Sequence, residues 1–455
     1  MNKFIIYTNV LCVLLFTISI KYLLPSGLTS ILLYAVFCLL NLYIISYLIV
    51  KKITNNLIVI FLFLLWLVHN SFSFYRISYI QRFSSSEVNF VYLLMIIATI
   101  LIFIGFKFSQ MFKVKKGFFF EKVSINTLTF YILLAITMII AIYKYSVAGG
   151  IMNYITSSYQ SKIPGDMKFV IFILDGIFSA NFFFIALIYA FNSTHKRAKS
   201  LAWLYIVFNL FDIIISGKSS GVLYRIISIV IFALITIQNP KKLKKVTSIF
   251  KPLVILGLMI GILIRFNRSS EDFSLNILRD ALDTIILSPT FDSLENFARI
   301  IDVFSPTYTL GQFIYPFVNF IPRSIFPDKP VELGRVIAVE FYGFSVDQVG
   351  GFAPSILGEF YYDFGYLGIF TGLLTVGFFL GFLQKKFNKT TLTLLVVAIM
   401  IQVSVNTAII PNWYTGWGIR FSYIVIFWGI AFSINSFINN YIVPKNFKNK
   451  GWKKC

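Results

Sequence analysis

Apolar runs of roughly twenty residues recur along almost the whole chain, and no other feature limits its fold so strongly. The hydrocarbon core of a bilayer is about 30 Å thick, and a helix of about 20 apolar residues crosses it. No water is present there to satisfy backbone N–H and C=O groups, so such runs must be helical. The runs fall at about 4–20, 28–50, 55–75, 88–106, 125–143, 169–191, 201–215, 222–237, 248–264, 366–384, 391–410 and 419–438. The expectation is an all-α polytopic membrane protein with about twelve spans, the short runs near 201–237 leaving eleven or thirteen open. A composition 58% hydrophobic and 13% charged, with a mean hydropathy of +0.82, excludes an ordinary soluble protein. Lys3 precedes the first run, and no small-x-small cleavage site follows before Lys21, so that run reads as a retained anchor.

Charge orients the spans. Of the 40 Lys and Arg, 24 fall on one side of the twelve-span arrangement, packed into short connectors such as Lys51–Lys52, Lys113–Lys116, Lys196–Lys199 and Lys241–Lys245. An excess of Lys and Arg in short loops marks the cytoplasmic side, which puts both termini inside and the long connector outside. Three parts follow: spans in 1–264, a large extracytoplasmic loop in 265–365, and the last spans with a cytoplasmic tail in 366–455. The net charge of +22 is then the orientation signal plus attraction to anionic lipid headgroups, with no nucleic acid needed. Of the 18 acids, 13 lie between Glu271 and Asp363. Asp175, Asp212 and Arg225 fall inside or at the outer ends of consecutive spans, as a polar cavity or as an ion pair fixing helix packing.

The loop is expected to be partly helical. Residues 270–288 and 291–303 each set an apolar stripe against a charged face, with Glu295 and Arg299 paired at i,i+4. They read as helices lying on the membrane surface, or as a small cap packed on itself. Residues 311–322 are too short and too proline-broken to span. The segment IPRSIFPDKP, followed by GGFAPSILGEFYYDFGYLG, differs from everything around it. It combines prolines, glycine pairs, aromatics and isolated charges, which a membrane protein keeps where it meets water or a ligand.

Several motifs fail on inspection. Gly217–Gly221 (GKSSG) matches neither a Walker loop, which needs a glycine where Asp212 stands, nor a nucleophile elbow with a partner histidine. Cys12, Cys38 and Cys455 give no disulfide framework and no metal spacing. No metal or other cofactor is expected. What remains is cations and carboxylates. Arg265, Arg268, Arg323, Lys329, Arg335 and Arg420 fall at the outer surface, with Lys218 and Arg225 nearby. Arginine grips phosphate oxygens bidentately, and the prolines flanking Arg323 stiffen its backbone. Glu359, between a glycine and aromatics that include Tyr361, is a candidate general base if partly buried, or else a salt-bridge partner of a loop arginine. Asp363 is the second carboxylate of that run.

At these residues the chain resembles the Wzy-type oligosaccharide repeat-unit polymerases. The resemblance rests on the proline-framed PRSIFPDKP and on G-G-x-x-P-S-x-x-G-E-x-Y-x-D-F-G, with Asp363 and Lys218 standing where that family more often has Asn and Arg. It implies a glycosyltransferase at the outer face of the bacterial cytoplasmic membrane. Such an enzyme takes undecaprenyl-pyrophosphate-linked oligosaccharide as donor and acceptor, and works among membrane lipids, with a chain-length regulator as a further partner. In that setting Glu359 takes the acceptor proton, and Arg323 with Arg265 or Arg268 steadies the departing pyrophosphate. An O-antigen ligase shares the span count and the large loop, but its loop relies on a histidine and 265–363 has none. A flippase for lipid-linked sugars is the alternative from the transporter class, though its loops are short.

Overall fold

The computed structural model describes residues 23, 27–51, 53–80, 82–112, 125–156, 165–215, 225–226, 228–230, 232–233, 291–318, 321, 325–344, 352–389 and 419–442. Among these the secondary structure is helical with no strand, and eight helices are long and apolar enough to cross a membrane. The chain divides into two compact units.

The first unit contains α1 (Leu28–Val50), α2 (Ile53–Ile80), α3 (Ser85–Met111), α8 (Ser293–Val303), α9 (Gly311–Val318), α10 (Leu333–Tyr342) and α11 (Ser355–Lys389). Its backbone is the pairing of α3 with α11. Gly105 of α3 faces the carbonyl of Leu374, Gly377 of α11 faces the carbonyl of Ile102, and Gly381 faces the Ser109 hydroxyl. A Cβ at any of these positions would collide with its neighbour. Small residues allow this approach, and in lipid such packing stands in for the hydrophobic effect that drives helices together in water. α3 begins at a capping box: Ser84 accepts from the Glu87 N–H, and the Glu87 carboxylate accepts from the Ser84 N–H. A buried aromatic layer of Tyr34, Phe37, Phe74, Tyr75 and Tyr92 joins α1, α2 and α3. The Tyr34 hydroxyl there shares a 2.8 Å hydrogen bond with that of Tyr75.

The helices of this unit have a consistent polarity. At one end Lys107 meets the Tyr47 hydroxyl, and Gln110 donates to the Gly381 carbonyl at 3.1 Å. At the other end Ser30 donates to Asn89 at 2.7 Å, and there α8 packs on α2, α3 and α11. α8 corrects the surface-helix expectation. Its apolar stripe is buried, as the spacing indicated, but Ser293, Glu295 and Asn296 of the charged face are buried as well. α9 contains Pro316 and covers α11.

The second unit contains α4 (Thr127–Val147), α5 (Ile151–Thr156), α6 (Gly165–Asn192), α7 (Lys196–Ile215) and, from Arg420, α12 (Ile419–Phe437) with the π turn Ile438–Ile442. Phe130 stacks on Tyr189 at 4.3 Å, and Phe182 packs edge-on to Tyr205 at 4.7 Å. Asn435 of α12 accepts from the Asn126 N–H at 2.7 Å and from the Thr129 hydroxyl at 3.1 Å, tying α12 to the start of α4.

Candidate active site

The two carboxylates of the distinctive run lie in α11. Glu359 and Asp363 are one turn apart and share a face; both are completely buried. Helix begins at Ser355, so Glu359 stands inside α11 and not on a connector ahead of it, and its burial is complete where partial burial was expected. Gly358 does not open a path to the backbone, since a Cβ there would come within 2.7 Å of Ile300 Cδ1 on α8. Asp363 Oδ1 accepts the Gln312 backbone N–H at 3.3 Å, the Phe313 backbone N–H also points to this carboxylate, and Oδ2 makes no well-formed hydrogen bond. Two residues later the helix breaks at Gly365, whose φ of 63° is a left-handed conformation that costs glycine little. The segment ahead of α9 lies across the break, with the Thr307 N–H donating to the Tyr362 carbonyl at 2.8 Å and Pro306 against Gly365.

Gln312 organises this cover. Its side-chain amide donates to the Val331 carbonyl at 2.9 Å and accepts the Leu333 N–H at 2.9 Å, fixing α9 to the start of α10. The buried Asn296 side chain donates to the Ala353 carbonyl at 3.0 Å and accepts the Tyr342 hydroxyl at 3.1 Å, fixing α8 to the end of α10 and the start of α11. Tyr342 stacks on Phe352 at 3.8 Å between centroids, 8° from parallel. Burial, then the nearby carboxylates Glu295 and Asp292, push its hydroxyl up to about 12.

A second polar group adjoins the first on α8. Glu295, 1% exposed at its side chain, accepts from Arg299 at 2.7 Å, from Arg76 at 3.0 Å and from Arg82 at 3.3 Å. Asp292 precedes α8 and is buried, and neither of its oxygens makes a well-formed hydrogen bond although Asn296 is near. Burial pushes its carboxyl up to about 7, against the pull of Arg76. Among the described residues no group of His, Cys, Asp and Glu could hold a metal ion.

The family model of the O-antigen polysaccharide polymerase Wzy matches residues 4–442, nearly the whole chain. The chain belongs to this family. No curated protein and no solved structure matches it. The protein is therefore a multi-pass membrane polymerase that joins repeat units into O-antigen polysaccharide.

Among the described residues, the sequence-derived site falls into three groups. Glu359, Asp363 and Tyr361 come together on α11, Tyr361 buried with its ring 5.2 Å from that of Tyr366. Lys329 donates to the Ile321 carbonyl at 3.1 Å, and half-buried Arg335 on α10 opposes the rise that burial gives the Glu332 carboxyl. Arg225 and Arg420 belong to the second unit. There the Arg225 guanidinium donates to the Ala180 carbonyl at 3.2 Å and lies 4.5 Å from the centre of the Phe183 ring. Lys218, Arg265, Arg268 and Arg323, with the helix expected over 270–288, lie outside the described residues.

Asp175 and Asp212 share an ion pair, which leaves the cavity reading open beside it. Their cation is Lys144 of α4, 2.5 Å from Asp212 and 3.8 Å from Asp175, and the Tyr145 hydroxyl also donates to Asp212 at 2.5 Å. Sequence reasoning passed over Lys144, Arg76, Arg82 and Asp292. The available signal was a lone charge at the edge of an apolar run, which says that a partner is needed but not where it is.

Proposed function

We propose that the polymerase uses polyprenyl-diphosphate-linked oligosaccharide as its donor, acts at the outer face of the cytoplasmic membrane, and takes the acceptor proton on Asp363. The acceptor hydroxyl of the incoming lipid-linked repeat gives its proton to the Asp363 carboxylate as its oxygen attacks the anomeric carbon of the growing chain. The bond from that carbon to the diphosphate oxygen breaks, and polyprenyl diphosphate leaves with the electron pair. The donor is already activated, so no nucleotide is consumed.

The observation that carries this reading is the state of Asp363: the backbone N–H groups of Gln312 and Phe313 orient the carboxylate, and its buried Oδ2 makes no well-formed hydrogen bond. Such a carboxylate is oriented yet keeps a lone pair for a proton. Glu359 is already engaged by a polar or electrostatic contact of its own, and it serves as the positioning carboxylate one turn away. The 306–309 segment, which lies on Tyr362 and Gly365 to either side of Asp363 in the chain, is the part that would lift to admit the acceptor. That segment contains Tyr308, 74% exposed and held at φ 51°, a strained conformation for a residue with a side chain.

The test compares Asp363→Asn with Glu359→Gln at matched membrane levels, reading the length distribution of surface glycan. Removal of a general base costs about 10²–10⁴-fold in rate. Asp363→Asn is therefore expected to leave single repeat units, and Glu359→Gln to leave shortened chains. Wild-type chain lengths in Asp363→Asn would remove it as the base.

A further inference from the structure

We infer that Arg76, Arg82 and Arg299, held together by Glu295, form the anion clamp that grips the diphosphate of the lipid-linked substrate. This rests on the donor reading above and gives its phosphate a location. Three guanidiniums from three places in the chain, α2, the α2–α3 connector and α8, converge on one carboxylate. One carboxylate balances one of three positive charges. Asp292, a second acid beside them among the described residues, has its carboxyl pushed up by burial, so among the described residues the three guanidiniums outnumber the carboxylates shown on them.

The exposures separate the roles within the cluster. Glu295 is 1% exposed, Arg76 11% and Arg299 14%, whereas Arg82 is 59% exposed. Buried Glu295 thus serves as the anchor that fixes the forks, and Arg82 presents its free N–H groups to solvent. Arg299 is steadied further by the Phe341 and Tyr342 rings, 5.5 and 5.2 Å from its guanidinium carbon. A buried carboxylate needs its charge paired and its lone pairs filled, which the largely buried Arg76 and Arg299 already do; the exposed Arg82 adds a third positive charge beyond that need. Three cations crowded onto the same carboxylate repel each other until an anion arrives. Planar guanidinium forks match phosphate oxygens bidentately, and a diphosphate presents enough oxygens to engage more than one fork. The cluster adjoins α11 through α8, the helix that packs over Glu359 by way of Ile300 and Gly358.

The experiment uses the full-length protein in phosphatidylcholine nanodiscs, with undecaprenyl diphosphate as the probe and native mass spectrometry as the readout. Losing one charged hydrogen-bonding group is expected to weaken binding roughly tenfold or more in Arg82→Ala and in Arg299→Ala. Arg82→Lys should recover part of it, since lysine keeps the charge and loses the fork. Arg82 is exposed, so its loss leaves the fold in place. Inorganic pyrophosphate should compete with the probe and phosphatidylglycerol should not. Equal binding by wild type and both alanine variants would overturn the location while leaving the donor reading intact. Competition by phosphatidylglycerol as strong as by pyrophosphate would make the cluster a headgroup site and overturn the assignment to substrate. No binding of the probe by the wild type would overturn both readings.

Discussion

At the scale of single residues, the polar groups at the head of the first unit follow from what burial demands. Glu295 is buried and meets three cations, while Asp292 is buried and meets no well-placed donor. An unfolded aspartate releases its proton near 3.8, whereas in the folded protein Asp292 holds it to about 7. Between these values the folded state binds more protons than the unfolded one, so stability falls as pH rises through the window and the penalty is complete above it. Asp292→Asn removes that penalty. Its melting temperature in detergent, relative to wild type, is expected to rise more at pH 8 than at pH 5; equal shifts at the two pH values would show that Asp292 does not titrate in this window. The sequence made Glu359 and Asp363 legible because glycines, prolines and charges stand out against apolar surroundings. It made the Glu295–Arg299 pair legible through helical spacing. Arg76 and Arg82 lie more than 200 positions from Glu295, and no local pattern encodes a contact of that separation.

At the scale of elements, helix type and approximate position were readable because hydrocarbon permits little else. The role of α8 was misread for a physical reason: its polar face looks solvated in sequence, yet its charges and amides are satisfied by α2, α10 and α11. The α3–α11 contact depends on absent side chains, which periodicity weighs lightly. It yields a pair of substitutions with opposite signs. A Cβ at Gly377 would meet the Ile102 carbonyl carbon at 2.8 Å and Cα at 2.9 Å, backbone atoms that cannot turn aside. Gly377→Ala is expected to cost about 1–3 kcal/mol through overpacking. Gly429 of α12 has nothing within 4 Å of that position, so Gly429→Ala should be neutral or stabilising by about 0.5–1 kcal/mol. Thermal unfolding in detergent checks both, and an unchanged Gly377→Ala would show that α3 and α11 are not in backbone contact.

At the scale of the whole molecule, class and family were legible from hydropathy and one motif. The span count was not: eight helices qualify among the described residues against about twelve expected from the runs. Within the first unit, the end carrying Lys107 and the C-terminal part of α11 is opposite the end carrying α8 and the site carboxylates. On the expectation that lysine-rich connectors lie inside, the Lys107 end would be the cytoplasmic one. Reporter fusions at Lys199, Lys244 and Lys386 should accordingly be cytoplasmic, and those at Asn276 and Glu332 external. An external signal at Lys386 would invert the first unit. This chain alone is expected to extend a glycan on a polyprenyl diphosphate. Purified protein reconstituted in vesicles with a single undecaprenyl-diphosphate-linked repeat unit tests it directly, by gel analysis of the lipid-linked products. The expected product is a ladder of lengthening chains with one undecaprenyl diphosphate released for each linkage formed; unchanged single repeats, from protein that supports polymer in cells, would show that the chain does not act alone on this donor.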